Sequence, residues 1–459
     1  MMAGKKDYRT VTDSIGEVRI EADKLWGAAT QRALDDFSFP GERMPLEIVY
    51  AVAMIKKAAA RANRELGVLP EKKAELIEKG CDEILSGALD DSFPLTIWQT
   101  GSGTFTNMNV NEVICGFAEK LDKSVRLDPN DDVNMSQSTN DVFPSAMHLA
   151  SILLIEKKLL PALAAITEEF RLKAVEHKDT VKIGRTHLMD AVPISFGKEA
   201  SGWQHIIETD TALIKQSLES LREIPLGGTA VGSGLNAPEG YSEKACRYLT
   251  EESGTSVVPM KDFYAGLSSK NAAAGAHAAL RVLAGDLIKI ANDIRFYSSG
   301  PLCGLKELNL PAREAGSSIM PGKVNPTQCE ALIMVSQMVY GNDAAFGMAA
   351  MYGNFQLNVN MPLMAHLLVR SINLMSAAIE SFTSVCLKDM KANTDIMRKN
   401  AQSALTLVTA LNTKIGYKAA AEISKDALKR GVPLRDAALA SGLITAEEFD
   451  ETVKPEKMI

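Results

Sequence analysis

His187, between Thr186 and Leu188, is the one histidine of six in a polar, loop-like setting suited to proton transfer near neutral pH. His148, His177, His205, His277 and His366 fall within helical patterns, where a packing or surface role is the ordinary one. A second gathering of reactive types is Gly316-Ser-Ser-Ile-Met-Pro-Gly-Lys-Val-Asn-Pro-Thr-Gln-Cys-Glu330. Ser317 offers a hydroxyl there, and Lys323 a cation able to neutralise a carboxylate and lower a serine pKa. Glu330 falls about one turn into the helix expected after Asn325-Pro326, where it either orients a histidine or answers the helix dipole. A lone loop lysine is ordinarily solvated, so the residue types alone leave both readings open.

Around these residues lie polar stretches rich in Gly, Ser, Thr and Asn, each expected to run straight into an apolar helix: Thr100–Glu112, Asp128–Asp141, Gly184–Asp190 and Gly316–Glu330. A helix N-terminus carries unpaired N–H groups and about half a positive charge, so several converging on one point make an anion site with few lysines. The plain alternative is N-capping, worth about 1 kcal/mol per helix, and Asn325-Pro326 suits it. A cap uses one side-chain oxygen, however, while Ser136-Gln-Ser-Thr-Asn140 presents five polar side chains in a row.

The elements that must position these residues are helical. From Met147 to Phe170 apolar residues recur at helical spacing, with charged Glu156, Lys157 and Lys158 confined to one short stretch. Similar patterns run over Ala273–Ile294, Ala331–Tyr340 and Leu363–Val385. Strand-like alternation is rare, and its best example, Glu17–Ala22, predicts a short hairpin near the N-terminus. Ala, Leu and Met dominate and aromatics make up 6%, which fits closely packed long helices in a central bundle. Such a bundle leaves much apolar side surface uncovered, so oligomerisation is expected. No 34- to 45-residue repeat supports a solenoid. Breaks near Ser138–Asp141 and Lys388–Asn393 divide the chain into an N-terminal, mostly helical domain 1–140, a central long-helix bundle 141–390 forming the oligomer core, and a small helical C-terminal domain 391–459.

A chain of 459 residues, 46% hydrophobic, can bury a large core. Its polar N-terminus implies no export signal, and no apolar run is expected to reach the ~20 residues that cross a bilayer, so a soluble, cytoplasmic protein follows. The six cysteines are scattered without a CxxC pair, which excludes a disulfide framework and a thiolate zinc site and makes most of them buried fillers. A net charge of -7 without a basic cluster excludes nucleic acid, and any anionic substrate must be held by local cations and N–H groups.

In these stretches the chain resembles the fumarase/aspartase superfamily, closest to its class II fumarate hydratases. All fifteen residues of Gly316–Glu330 match the fumarase form of the superfamily signature, and the likeness runs from about Tyr8 to Met458, through Gly227–Gly232, Ser299-Gly-Pro301 and Gly353–Val359. The resemblance implies a mainly α, three-domain subunit with a long central helical bundle, assembled as a homotetramer whose active sites are shared between subunits. It also implies a lyase acting on a small dicarboxylate: reversible hydration of fumarate to (S)-malate through an aci-carboxylate intermediate, with no metal or organic cofactor. By carry-over Ser317 is the base, and Lys323, Asn325 and nearby N–H groups stabilise the charge it creates. His187, paired with Glu330, serves the other side of the reaction through a water. Thr104, Ser138, Thr139, Asn140 and Thr186, with Ser102 nearby, hold the substrate. The loop around Ser317 acts as a lid. Gly322 and Thr327–Glu330 are fumarase-like, whereas Thr139 stands where fumarases usually carry Ser and aspartases Thr. Aspartate ammonia-lyase activity, or that of a related dicarboxylate lyase, is therefore the alternative. Asp128 replaces a histidine assigned in class II fumarases to a secondary anion site, and Met135 stands where Lys is common.

Overall fold

In this computed structural model residues 7–459 are described. The first six residues, on which the export expectation partly rests, lie outside the described residues. The chain forms two compact units interleaved in sequence: residues 1–161, 212–284 and 337–376 make the first, and 162–211, 285–336 and 377–459 the second.

The first unit opens with the expected hairpin. β1 (Tyr8–Thr12) pairs antiparallel with β2 (Glu17–Glu21), whose Val18 and Ile20 are buried while Arg19 faces out. Five helices follow: α1 (Ala28–Asp36), α2 (Leu46–Glu65), α3 (Glu71–Leu85), α4 (Thr104–Leu121) and α5 (Thr139–Leu154). Around α2, whose alanines let neighbours approach closely, pack α3, α5 and a later helix of the same unit, Tyr241–Ser253. The charged interruption at Glu156–Lys158 falls in a π-helical turn, Ile155–Leu159, between α5 and α6 (Leu160–Glu176), so the expected long helix is continuous but locally widened.

The second unit holds the antiparallel hairpin β3 (Val181–Thr186) and β4 (Met189–Ser195), which leads into α7 (Phe196–Leu221). The hairpin is seated on the C-terminal helices: Ile183 of β3 is buried with Leu407, Leu411, Ile423, Ala438 and Phe449, and Thr406 donates to the Ala191 carbonyl at 2.6 Å. The remaining helical patterns become α8 (Tyr241–Ser253), α9 (Phe263–Ser268), α10 (Asn271–Tyr297), α11 (Thr327–Met351) and α12 (Met361–Phe382).

Two expectations need correction. Among the described residues one run is long and apolar enough to cross a bilayer, the 27 residues Met361–Leu387, but 67% of its most apolar window is buried within the folded chain. Its Ser371, Ser376 and Thr383 are buried as well and hydrogen-bonded inside the protein, as befits a core helix. The stretch Gly184–Asp190 is not a loop leading into a helix: strand pairing extends to Thr186 and resumes at Met189, and the next helix starts only at Phe196. The cysteines behave largely as fillers, Cys81, Cys246, Cys329 and Cys386 being buried, Cys115 half-buried and Cys303 exposed.

Candidate active site

Ser317 sits in a loop that closes on itself. The Gly316 N–H donates to the Lys323 carbonyl at 3.1 Å, and the Asn325 side-chain amide donates to the Gly316 carbonyl at 2.6 Å. Only glycine permits this clasp, because a Cβ at position 316 would lie 2.3 Å from the Lys323 carbonyl oxygen. Gly322, with φ +80°, supplies the left-handed residue that turns the loop back. Inside it the Ser317 Oγ accepts the N–H of Ile319 at 3.2 Å and of Met320 at 3.1 Å. Two donors aimed at one hydroxyl oxygen favour its ionised form, which a serine needs in order to act as a base. Asn325, expected as a cap, thus spends its side chain on the clasp, and α11 begins two residues later at Thr327.

His187 and Leu188 form the two-residue tip of the β3–β4 hairpin, with φ 56° and 63°. Positive φ at both central residues defines a type I′ turn, normally built from Asn and Gly. Side chains such as His and Leu cost about 1–2 kcal/mol each in that conformation, and retained strain of this kind marks functional positions. Beneath the tip a buried charge network fixes β3. Arg185 donates a bidentate pair to Glu307 at 3.0 and 2.7 Å, and Lys182 donates to Glu199 at 2.6 Å. Tyr297 donates to the other Glu199 oxygen at 2.7 Å and Asn400 to Glu307 at 3.0 Å. Burial works to raise the Glu307 carboxyl, but its bonds from Arg185 and Asn400 and the nearby Lys182 outweigh that and hold it below the ordinary carboxylate range. Arg185 is therefore consumed structurally and is not a free cation.

Both features border one cavity of about 1000 Å³, lined by His187, Lys323, Asn325 and Glu330. Arg295 and Lys306 also line it and join Lys323 against the acids Asp293 and Glu330, so cations predominate, as an anionic substrate requires, even without Arg185, which lines it too but is spent on Glu307. Residue types alone did not single out Arg295, Lys306, Asn292 or Asn309; their only signal was proximity to Ser299-Gly-Pro301, which lines the same cavity. Ser317 and Thr186 are not in its wall, Thr186 being exposed at the hairpin end. His187 and Glu330 share the wall without a direct hydrogen bond to one another.

The other polar loops belong to the first unit and bring two helix N-termini together. Thr104 opens α4 after Gly103 in a left-handed conformation, and Ser102 and Thr104 share a hydrogen bond of 2.7 Å. Ser138 caps α5 in a full capping box with Asp141, so it does serve as an N-cap. Asn107 in the first turn of α4 donates to the Thr139 hydroxyl at 3.1 Å, joining the two helix starts. Asn140 donates to the Ala230 carbonyl at 2.8 Å, and Asp141 accepts the N–H groups of Gly227 and Thr229 at 3.0 and 2.9 Å, which draws the Gly227–Gly232 loop over α5. Asp128 folds into its own turn, accepting from Asn130 and Asp131 at 2.8 and 2.9 Å. Among the described residues no cluster of three or more His, Cys, Asp or Glu side chains could hold a metal ion.

A helical chain with a lysine-flanked serine in a clasped loop and a histidine on a strained hairpin has known counterparts. The lyase family matches residues 16–341, and the fumarase C C-terminus family matches residues 407–459. The chain belongs to the fumarase/aspartase superfamily of lyases and groups with its class II fumarate hydratases. It is 47% identical over 456 residues to the class II fumarate hydratase of Oceanobacillus iheyensis, covering 98% of this chain and 99% of that one. With its counterpart in Helicobacter pylori strain J99 it shares 48% over 458 residues, 98% and 99% of the two chains. The crystal structure of a class II fumarase from Schistosoma mansoni superposes with a TM-score of 0.97 at 39% identity, covering 98% of this chain and 99% of that one. A 3-carboxy-cis,cis-muconate lactonizing enzyme from Pseudomonas putida, 18% identical with a TM-score of 0.69 over 95% and 94% of the chains, shares the fold alone.

Proposed function

We propose that this chain is a lyase catalysing the reversible hydration of fumarate to (S)-malate, with Ser317 as the base. A C–H beside a carboxylate is a very weak acid, so its removal requires an ionisable base and donors placed where the aci-carboxylate charge develops. The observation that carries the reading is the Ser317 hydroxyl oxygen receiving two backbone N–H groups inside a loop that also holds Lys323 and Asn325. In the dehydration of malate Ser317 takes the proton from carbon, and the departing hydroxide is protonated through a water held by His187 and Glu330. In the hydration of fumarate the same groups run in reverse. Thr104, Ser138, Thr139, Asn140 and Thr186, with Ser102 nearby, hold the carboxylates of this small dicarboxylate, using the electropositive starts of α4 and α5.

The working form is a homotetramer in the cytoplasm, with active sites assembled from loops of different subunits and the three-part division at residues 140 and 390 as its domain plan. In support, α11 exposes Ala331, Met334, Met338, Gly341, Ala344, Met348 and Met351, a stripe of small and apolar residues at helical spacing of the kind that packs against another helix. The test is Ser317→Ala: turnover of malate and fumarate falls by about a thousandfold or more while helical circular dichroism and sedimentation stay unchanged. Wild-type turnover in that variant would refute the assignment.

A further inference from the structure

Beneath the paired starts of α4 and α5 lies a buried lysine that no step above uses. Lys56, on α2, is fully buried, and its ammonium group touches no carboxylate: it donates to the side-chain oxygens of Asn134 at 2.8 Å and Gln137 at 3.0 Å. Asn134 Oδ1 is a hub, also accepting from Asn107 at 3.1 Å and from Asn111 at 3.3 Å. Asn107 in turn donates to the Thr139 hydroxyl at 3.1 Å, so a chain of hydrogen bonds runs from the buried cation to the first residue of α5. The outer oxygens of Asn107 and Asn111 are buried without a partner, so this network is polar well beyond what packing needs.

Burying an ammonium without a carboxylate contact is costly, and a packing role alone would be filled better by an apolar side chain. The local electrostatics supply a reason to keep it. Asp141, which completes the capping box, places a carboxylate at the very helix start proposed to receive a dianion. The Asp141 carboxylate acts on Lys56 electrostatically, and among the described residues Cys81 on α3 is the other titratable group acting on it. Resting on the hydration of fumarate proposed above, we infer that Lys56 is a specificity-determining positioning residue. It offsets Asp141 and anchors the Asn134–Asn107–Thr139 relay, so the start of α5 attracts a dicarboxylate instead of repelling it.

A unit charge about 10 Å from a carboxylate, at an effective dielectric of about 20, changes affinity about tenfold. Burial, opposed by Asp141, lowers the Lys56 ammonium to about 7, while burial, opposed by N–H donors and by Lys56, raises the Asp141 carboxyl to about 6. Between those values both are charged and the offset is complete; as pH rises past 7 Lys56 loses its proton, Asp141 stands alone, and substrate affinity falls.

The experiment is steady-state kinetics on the assembled wild type, Lys56→Met and Lys56→Gln, with (S)-malate and fumarate at pH 6.5 and pH 8.5. Expected are a KM raised about tenfold at pH 6.5 in both variants, kcat within about threefold, and loss of the wild-type rise in KM between the two pH values. Gln keeps a hydrogen-bond donor without the charge, so a Gln variant that unfolds no earlier than wild type yet binds weakly separates charge from support. A folded Lys56→Gln enzyme with wild-type KM and an unchanged pH profile overturns the inference. If the wild type turns over neither substrate, the functional reading fails instead, and the two failures are distinguishable.

Discussion

Gly316→Ala isolates the geometry of the clasped loop from its chemistry. The added methyl would lie 2.3 Å from the Lys323 carbonyl oxygen and 2.9 Å from its carbon, against an ordinary contact of 3.4 Å or more. The obstacle is backbone, so the loop must open by about 1 Å, which breaks the Gly316–Lys323 bond and shifts the peptide that Asn325 holds. A misplacement of about 1 Å around reacting groups costs about a hundredfold in rate. The loop lies outside the core, with Ile319 83% exposed, so the unfolding midpoint stays within about one degree. Gly322→Ala is the control: no atom stands within 4 Å of its Cβ, and only the left-handed φ of +80° is strained, at about 1–2 kcal/mol. Its activity falls by no more than about tenfold. Initial rates from fumarate absorbance, paired with thermal unfolding, give both readouts. A Gly316→Ala enzyme within about threefold of wild type, or a Gly322→Ala enzyme equally impaired, would refute the loop geometry as the control on Ser317.

His187→Asn keeps the hairpin tip, because Asn tolerates positive φ, while removing the group proposed to move the proton. Turnover falls about 10²- to 10⁴-fold with unchanged thermal unfolding, and a fully active variant would remove His187 from the reaction. Burial and Asp286 raise the buried Asp210 carboxyl to about 7, so the native state prefers it protonated. The resulting penalty is absent below the unfolded value near 4, grows as pH rises, and is complete above 7. Asp210→Asn therefore stabilises the protein at pH 8 by roughly 2–4 kcal/mol and leaves it unchanged near pH 4, as urea unfolding at the two pH values will report.

The long helices were legible because their burial is periodic: Ala273–Ile294 lies within α10, and Leu363–Val385 within α12 and the turn that follows it. The β3–β4 hairpin was not. Its tip carries His-Leu instead of Asn-Gly, so the usual turn chemistry is missing, and polar Gly184–Asp190 reads as an ordinary loop. Ser317, Lys323, Asn325 and Glu330 were found through one contiguous string, yet the loop's closure depends on a carbonyl approach that only the backbone path reveals. Lys56 was invisible for a different reason. In sequence it is one of two adjacent lysines on a helix, and only packing distinguishes it from Lys57, which forms ion pairs with Asp82 and Glu252.

The most direct test of the whole account is fumarate formation followed by absorbance, with the purified protein given (S)-malate and, separately, aspartate. The account predicts fumarate from malate and none from aspartate. Fumarate from aspartate without malate turnover would contradict it and make the chain an ammonia-lyase.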